Sequence, residues 1–302
     1  MSKCLVTGGA GFIGSHLVGS LLNAGHEVCV MDNESSQAHD SFYWDDNAKN
    51  FKEDLCDYSK VVALFREEKP EYVFHLAADS NIQAAIESPR LTLENNFSST
   101  INILDCARLY KSKRVIFSSS ASVYGLHGPP QREDLKVDPL NPYATSKAMG
   151  ENAMKLYHKI YGLGTVCLRY FNVYGERQPV RGAYASVIGA FFTAKEKGEV
   201  LRIYGDGLQE RDFVYVRDVV ASNIFSAFSE NKRILGSIIN IGTGKGYTVL
   251  DIARMTGGEI EFFPERKGEV RISRADINKL TSLLNFSPES RLESWVKNRS
   301  KN

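Results

Sequence analysis

Five short apolar runs, separated by helical patterns, restrict most strongly what this chain can fold into. They are KCLVT, EVCVMD, YVFHLAA, RVIFSSS and TVCLRYFN, and all lie before about residue 172. Strands that are apolar on both faces are typical of a parallel sheet that helices cover on both sides. We therefore predict an α/β fold with a doubly wound parallel sheet.

After about residue 172 this alternation breaks down. A chain of 302 residues has enough interior for two closely joined lobes. We predict a larger domain made of residues 1–172 and a returning segment at about 214–242. Residues of about 173–213 and 243–302 are predicted to form a smaller C-terminal α/β lobe.

Composition argues against several classes of protein. The 37 Lys and Arg balance the 36 Asp and Glu without a basic stripe, so neither nucleic acid nor a membrane surface is an expected partner. The five cysteines are odd in number and lack a CxxC pair, which favours buried reduced thiols. The six histidines share no metal-ligand spacing, so no metal is expected, and His75 is predicted to have a core role in a strand. The N-terminal stretch lacks the apolar segment of a signal peptide, and no stretch approaches the roughly 20 apolar residues of a membrane span, which predicts a cytoplasmic protein.

Residues 3–33 read as a strand, a glycine turn, an amphipathic helix and a second strand that ends in an acid. Gly8, Gly11 and Gly14 have a spacing that permits a tight turn, close approach of the backbone to a pyrophosphate and close helix packing. Asp32 is placed to accept a hydrogen bond from a ribose 2′-hydroxyl and to repel a 2′-phosphate, and no arginine follows it in DNESSQ. The motif predicts NAD rather than NADP as the cofactor, with an ordinary βαβ turn as the alternative.

A second motif, NPYATSK, opens a helix after Pro142 and places Tyr143 and Lys147 four residues apart on one helical face. The pKa of a free tyrosine is about 10, so its phenol is a poor base at neutral pH. A neighbouring ammonium and a positive nicotinamide ring would both lower that pKa, and a lowering of about 3 units corresponds to about 4 kcal/mol. The alternative is a chance YxxxK pattern on a helix surface.

Six motifs occur in one order: TGGAGFIGSH, HLAA (75–78), FSSSASVYG (117–125), NPYATSK, LRYFNVYG (168–175) and RDFVYVRDVV (211–220). In that order and rough spacing, the chain resembles the extended short-chain dehydrogenase/reductases. Within them it is similar to the NAD-dependent nucleotide-sugar epimerases of the UDP-glucose or UDP-N-acetylglucosamine 4-epimerase type. The resemblance runs from residue 3 to about residue 292 and implies a Rossmann domain with a smaller substrate lobe.

The resemblance implies a catalytic trio of Ser120, Tyr143 and Lys147. Ser120 would exchange a proton with the sugar O4 and with Tyr143, while the two serines before it end the strand and line the cofactor. Sugar 4,6-dehydratases of this superfamily carry Thr-Asp-Glu where this chain has Ser120, Ala121 and Ser122. The missing carboxylates disfavour dehydration.

The resemblance also implies which residues contact NAD. The cofactor-binding residues would be Gly8, Gly11, Phe12, Ile13, Gly14, Asp32, Asn33, Asp54, Leu55, Leu76, Ala77, Ala78, Asn96, Ser118, Tyr143, Lys147 and Tyr170. Asp54 and Leu55 would lie by the adenine and Tyr170 near the nicotinamide. Packing or a turn cap is the alternative role at the positions outside the glycine motif and the catalytic trio.

The implied substrate-binding residues are Ser120, Asn172, Val187, Arg202, Ile203, Tyr204, Arg211, Arg266, Glu269 and Ser273. Arg211 and Arg266 match two arginines that contact the diphosphate, a role that suits guanidinium groups, with surface salt bridges as the alternative. Ser273 falls on the family's sugar-pocket gate, where a tyrosine excludes N-acetylated sugars and a small residue admits them. N-acetylhexosamines are therefore expected substrates, beside glucose and galactose.

The predicted activity is C4 epimerisation of a UDP-hexose through a 4-keto intermediate, with NAD held tightly. The alternatives are a 4-reductase, a uronate decarboxylase and a non-catalytic NAD-binding protein, although the last class typically lacks the tyrosine or lysine of YxxxK. The helical segments 91–110 and 148–161 carry apolar faces that could simply join the core. By the resemblance, they would form a four-helix homodimer interface.

Overall fold

The computed structural model describes residues 1–36, 41–179, 186–265 and 270–299. The strands are Lys3–Thr7 (β1), Glu27–Met31 (β2), Lys49–Phe51 (β3), Tyr72–His75 (β4), Arg114–Ser120 (β5), Gly164–Tyr170 (β6), Asn172–Tyr174 (β7), Leu201–Tyr204 (β8), Glu210–Tyr215 (β9), Ser237–Ile241 (β10), Gly246–Thr248 (β11), Ile260–Phe263 (β12) and Ile272–Ser273 (β13). The α-helices are Phe12–Asn23 (α1), Tyr58–Glu68 (α2), Ile82–Glu87 (α3), Pro89–Leu109 (α4), Pro142–Tyr161 (α5), Val187–Glu196 (α6), Val216–Phe228 (α7), Val249–Thr256 (α8), Asn278–Leu284 (α9) and Leu292–Arg299 (α10).

Seven of the described strands form one parallel sheet, in the order β10-β6-β5-β4-β1-β2-β3. This arrangement confirms the predicted doubly wound fold. The direction of winding reverses between β1 and β4. Open α/β sheets bind ligands at such a point, beyond the carboxyl ends of the strands.

Helices cover both faces of this sheet, which explains why its strands are apolar on both sides. On one face, Leu17 of α1 and Val219 of α7 pack against the sheet in one hydrophobic cluster. On the other face, Phe65 of α2, Ile103 of α4 and Met154 of α5 belong to a second cluster. Strand β6, which lies between the two layers of helices, is buried at every residue.

The later strands build two smaller sheets. In one of them β9 is the central strand, with β7 and β13 parallel to it and β11 antiparallel. In the other, β8 and β12 pair in parallel. A separate hydrophobic cluster, which includes Phe191, Ile203 and Ile252, lies beneath these strands.

The thiols of Cys4, Cys29, Cys106 and Cys167 are buried and free, whereas Cys56 is exposed. Burial raises the pKa of Cys4 and of Cys29 to about 12, which keeps both thiols protonated. Among the helices that the structure describes, none has the length and apolar character needed to cross a membrane.

Candidate active site

The glycine turn joins β1 to α1 at the point where the sheet reverses direction. Gly8 has a φ of +66°, and a Cβ there would lie 2.8 Å from the backbone nitrogen of Ala77. A Cβ on Gly14 would lie 2.1 Å from the carbonyl oxygen of Gly8. Helix α1 begins after Gly11 without a side-chain cap. The first-turn N–H groups of an uncapped helix can bind phosphate, so this cradle fits a dinucleotide.

Asp32 lies directly after β2, beside the glycine turn. One carboxylate oxygen accepts a hydrogen bond from the Ala10 N–H at 3.1 Å, and the other accepts from the Glu34 N–H at 2.9 Å. These bonds hold the carboxylate at the end of the strand, where a ribose is expected in this fold. The position therefore fits NAD.

The other residues expected to contact the cofactor differ in exposure. Phe12, Ile13, Leu76, Ala77 and Ala78 are half-buried around the end of the sheet, Leu55 is buried, and Asn33 and Asp54 are exposed. The Asp54 carboxylate caps a turn by accepting from the Cys56 N–H at 2.8 Å.

Asn96 serves as a brace in the structure. Its side chain accepts from the Asp79 N–H at 2.7 Å and donates to the Asp79 carbonyl and to Ser146 Oγ, both at 3.0 Å. All of its amide groups are thus occupied within the protein. They tie the loop after β4 to helices α4 and α5.

The three serines at the end of β5 have different partners. Ser118 Oγ lies 2.9 Å from the Tyr170 hydroxyl, which in turn bonds to Asn223 on α7. Ser119 Oγ donates to the carboxylate of Glu151 at 2.7 Å. Ser120 is half-buried at the strand end. Its Oγ accepts from the N–H and the hydroxyl of Ser122, at 3.2 and 2.9 Å.

Tyr143 and Lys147 lie on the first turns of α5, which Asn141 caps by accepting from the Ala144 N–H at 2.9 Å. Lys147 is only 4% exposed, and its Nζ lies 5.0 Å from the ring centroid of Phe117 and 5.8 Å from that of Tyr143. Burial lowers the pKa of Lys147 to about 8. The structure thus places the phenol, the ammonium and the end of β5 side by side.

The electrostatics of Tyr143 differ from the expectation that the lysine lowers its pKa. Burial raises the pKa of Tyr143, and only a hydrogen bond with Ser120 opposes that rise. The ammonium of Lys147 lies over the ring face of Tyr143. Desolvation of the phenolate raises the pKa by more than the hydrogen bond with Ser120 lowers it. The groups of the chain by themselves therefore keep Tyr143 a phenol at neutral pH.

His75 has the core role that the sequence favours. Its Nδ1 lies 2.8 Å from Thr7 Oγ1 and its Nε2 lies 3.1 Å from Thr100 Oγ1. Burial lowers the pKa of His75 to about 3, so the imidazole is neutral. Within the described part of the chain, no group of three His, Cys, Asp or Glu side chains is arranged to hold a metal ion.

Of the described residues expected to bind the substrate, most lie on β7, β8, β9 and β13. Asn172 donates to the Asp212 carbonyl at 2.9 Å, and Ser273 is the register partner of Arg211. On β8, Arg202 is exposed, Ile203 is buried and Tyr204 is half-buried. Val187 begins α6. Arg266 and Glu269 lie outside the described residues.

Sequence reasoning missed Asp212, which organises this group. Its carboxylate is fully buried and accepts four hydrogen bonds, from the N–H groups of Thr243, Gly244 and Ala275 and from the Thr243 hydroxyl, at 2.8 to 3.1 Å. Burial raises the pKa of Asp212, and these donors oppose the rise. An acid directly before the apolar residues FVY of β9 was the available signal, since buried charges are rare without partners.

A glycine cradle with an acid after β2, and a serine, tyrosine and lysine grouped at the end of β5, define a Rossmann-type dehydrogenase/reductase site. The sequence profile of the NAD dependent epimerase/dehydratase family matches residues 4–242. The chain belongs to this family. The extended short-chain dehydrogenase/reductase resemblance is confirmed.

Two relatives illustrate the activities found among similar proteins. A putative UDP-glucose 4-epimerase of Methanocaldococcus jannaschii is 37% identical over 312 residues, covering 98% of this chain and 99% of that protein. A UDP-N-acetyl-alpha-D-glucosaminuronate decarboxylase of Bacillus cytotoxicus is 34% identical over 318 residues, covering 98% of this chain and 95% of that protein.

Solved structures are similar over nearly the whole chain. The UDP-glucose 4-epimerase of Thermotoga maritima with UDP-glucose has a TM-score of 0.92 and 35% identity, covering 99% of this chain and 97% of that one. The UDP-N-acetylglucosamine 4-epimerase of Methanobrevibacter ruminantium M1, in complex with UDP-N-acetylmuramic acid, has a TM-score of 0.91 and 35% identity with the same coverage. The UDP-glucose 4-epimerase of Thermus thermophilus with NAD has a TM-score of 0.88 and 33% identity, covering 99% of this chain and 98% of that one. The cofactor of the present protein is NAD.

Proposed function

We propose that the protein interconverts the C4 epimers of a UDP-hexose through a 4-keto sugar. The grouping of Ser120, Tyr143 and Lys147 at the carboxyl end of β5 carries this proposal. Ala121 and Ser122, which follow Ser120, bear no carboxylate that could eliminate water. Relatives with 4-epimerase names add support.

Held by the glycine turn and Asp32, NAD would supply the reversible hydride chemistry at C4 of the sugar. The positive nicotinamide ring would favour the phenolate of Tyr143, which accepts the O4 proton and later gives it back. Ser120 donates one hydrogen bond, to O4 or to the Tyr143 oxygen, whichever carries the negative charge. Ser120 is prepared for this, because Ser122 fills both acceptor positions of its hydroxyl and leaves its own proton to be donated. Lys147 supplies a buried ammonium below pH of about 8.

N-acetylhexosamines are proposed as substrates beside glucose and galactose. Ser273 is a small residue beside Arg211, so the gate position that it occupies leaves room for an acetamido group. We propose that Arg211 binds the diphosphate. Asn172 lies nearby, because its side chain donates a hydrogen bond to the carbonyl of Asp212, the residue after Arg211. The structural similarity to the UDP-N-acetylglucosamine 4-epimerase of Methanobrevibacter ruminantium M1 favours this choice.

The test incubates purified protein, without added cofactor, with UDP-N-acetylglucosamine and separately with UDP-glucose. NMR should detect the C4 epimer of each sugar, and Tyr143→Phe should abolish turnover while leaving NAD in the protein. Unchanged turnover in Tyr143→Phe would remove the catalytic assignment. Absence of both epimers, from protein that releases NAD on denaturation, would refute the epimerase on UDP-sugars.

Uronate decarboxylation is a second candidate, because a relative named as a UDP-sugar-uronate decarboxylase covers almost the whole chain. Carbon dioxide release from a UDP-uronate would favour it over epimerisation. A 4-reductase would instead consume external reductant. A non-catalytic NAD-binding protein would leave all of these sugars unchanged.

We also propose a homodimer through α4 and α5. These helices pack on each other and expose Leu91, Leu109, Leu156, Ile160 and Tyr161, each at least half exposed. Apolar side chains repeated along two neighbouring helices are typical of a helix-to-helix interface. Light scattering should give the mass of a dimer, and Ile160→Glu should give a monomer.

A further inference from the structure

A buried ion pair lies behind the catalytic trio. Glu151 of α5 is 2% exposed and Arg169 of β6 is 1% exposed. Arg169 donates from Nε and from Nη2 to the two carboxylate oxygens of Glu151, both at 2.7 Å. Ser119 donates to the same carboxylate at 2.7 Å. One side chain of α5 is therefore bonded to two adjacent strands of the sheet.

The positions of these residues relate the pair to the site. Glu151 follows Lys147 by four residues and Tyr143 by eight, so all three lie on one face of α5. Ser119 and Arg169 are direct register partners, and the next residue on β5 is Ser120. Any sliding of α5 along β5 would change the separation of Tyr143 from Ser120, and the bonds of Glu151 oppose that sliding.

The packing around the pair also fixes the depth of the helix. A Cβ on Gly150 would lie 2.4 Å from Cζ of Phe117 in β5, so α5 approaches the strand as closely as a residue without a side chain permits. The guanidinium carbon of Arg169 lies 4.5 Å from the ring centroid of Tyr124 on its other side. Close contact and bidentate bonding thus restrict how the pair can move.

The pair also has an electrostatic consequence for Lys147. The groups that act on Lys147 or Tyr143 are neutral His75 on β4, Ser120 on β5 and the Tyr170 phenol on β6. Glu151 lies one helical turn after Lys147 on α5. Arg169 occupies both oxygens of the Glu151 carboxylate and Ser119 donates to one of them, so this acid has its partners on β6 and β5 and not at Lys147.

We propose that Glu151 and Arg169 are positioning residues, which keep Tyr143 in register with Ser120 and prevent Lys147 from pairing with a carboxylate. This inference rests on the proposed function for its kinetic consequences. Its electrostatic part does not need turnover, because Tyr143 reports the charge behind it directly.

The first test is the titration of Tyr143 in the purified protein with its retained NAD, from the near-ultraviolet absorbance of the phenolate. Tyr143→Phe in each background supplies the spectrum to subtract. Glu151→Gln leaves an unpaired cation and should lower the pKa of Tyr143, whereas Arg169→Met leaves an unpaired anion and should raise it, each by ~1 unit. A merely structural role predicts no opposite shifts, and shifts of the same sign or none would overturn the proposal.

The second test uses Ser119→Ala, which removes one bond to Glu151 and no charge, so it disturbs folding less than the loss of either charged partner. The expected result is a kcat several-fold lower with KM unchanged, because binding groups stay in place while the register of Ser120 loosens. Glu68→Gln is the matched control: Glu68 is a buried acid on α2 that pairs with Lys3 and Lys49, and its loss should leave kcat unchanged. A Ser119→Ala enzyme with unaltered kcat would overturn the register argument. If the unaltered protein converts no UDP-sugar, the proposed function fails, and the Tyr143 titration still decides on the pair.

Discussion

Gly14 and Gly19 lie on the same helix, α1, and alanine at these two positions should have opposite effects. A Cβ on Gly14 would lie 2.1 Å from the Gly8 carbonyl oxygen and 2.8 Å from the Gly9 Cα, while a Cβ on Gly19 would meet no heavy atom within 4 Å. Ordinary van der Waals contact begins at 3.4 Å, so the turn and the helix must separate by about 1.3 Å, which is 3.4 minus 2.1, to accept Gly14→Ala.

The magnitude follows from the difference between the two variants. Both gain the helix propensity of alanine, which is worth about 1 kcal/mol relative to glycine. Only Gly14→Ala incurs overpacking, which costs about 1–3 kcal/mol when backbone must shift. We therefore expect Gly19→Ala to be about 1 kcal/mol more stable than the unaltered protein, and Gly14→Ala to be about 1–3 kcal/mol less stable than Gly19→Ala.

The same displacement moves the turn away from the phosphates, so Gly14→Ala should also lose NAD. Urea unfolding gives the free energies, and an assay of NAD released on denaturation gives the cofactor content per chain. Because lost cofactor lowers apparent stability further, both quantities are measured on the same samples. Equal stability and equal NAD in the two variants would refute the close approach of α1 to the turn.

Further predictions concern Lys147, His75 and Ser273. Lys147→Met should lower kcat by about 100-fold or more while NAD is retained. In the unaltered enzyme, kcat/KM should fall as the pH rises through about 8, because Lys147 loses its proton, and with it the ammonium charge, above that pH. The pKa of His75 is lowered to about 3, so between pH 6.5 and 3 only the unfolded chain takes up the proton. The free energy of unfolding should therefore fall by about 1.4 kcal/mol for each pH unit as the pH falls through that range. His75→Gln should show a correspondingly shallower acid dependence in urea unfolding. Ser273→Tyr should reduce the rate on UDP-N-acetylglucosamine relative to UDP-glucose by about tenfold or more in competition assays, and an unchanged ratio would contradict the gate assignment.

The features that sequence predicted well are those that local chemistry dictates. The sheet followed from apolar runs whose strands are buried on both faces, as β6 is at every residue. The turn followed from glycines that no other residue can replace, since Gly8 has a positive φ and Gly14 touches the backbone of Gly8. Tyr143 and Lys147 were found because a four-residue spacing fixes their common face once the helix exists.

Features that depend on tertiary packing could not be predicted in the same way. Asp212 looks like one more acid in a polar segment until β9, the loop after β10 and the end of β13 meet around its carboxylate. The pKa of Tyr143 was expected to be lowered by a neighbouring charge, and the burial that raises it depends on the whole environment of α5. Spacing along the chain gives the neighbour of a group but not its solvation.

The serine run shows how strand geometry gives three identical residues three different roles. Side chains alternate along β5, so Ser119 faces Glu151 on α5, while Ser118 and Ser120 point to the opposite side. The parallel register with β6 sets Ser120 opposite Tyr170, at the mouth of the crevice. A slip of one residue would exchange the faces and direct the side chain of Ser120 toward the ion pair instead. The bond between Ser119 and the Glu151–Arg169 pair opposes that slip, so a serine with no part in the chemistry helps decide which serine performs it.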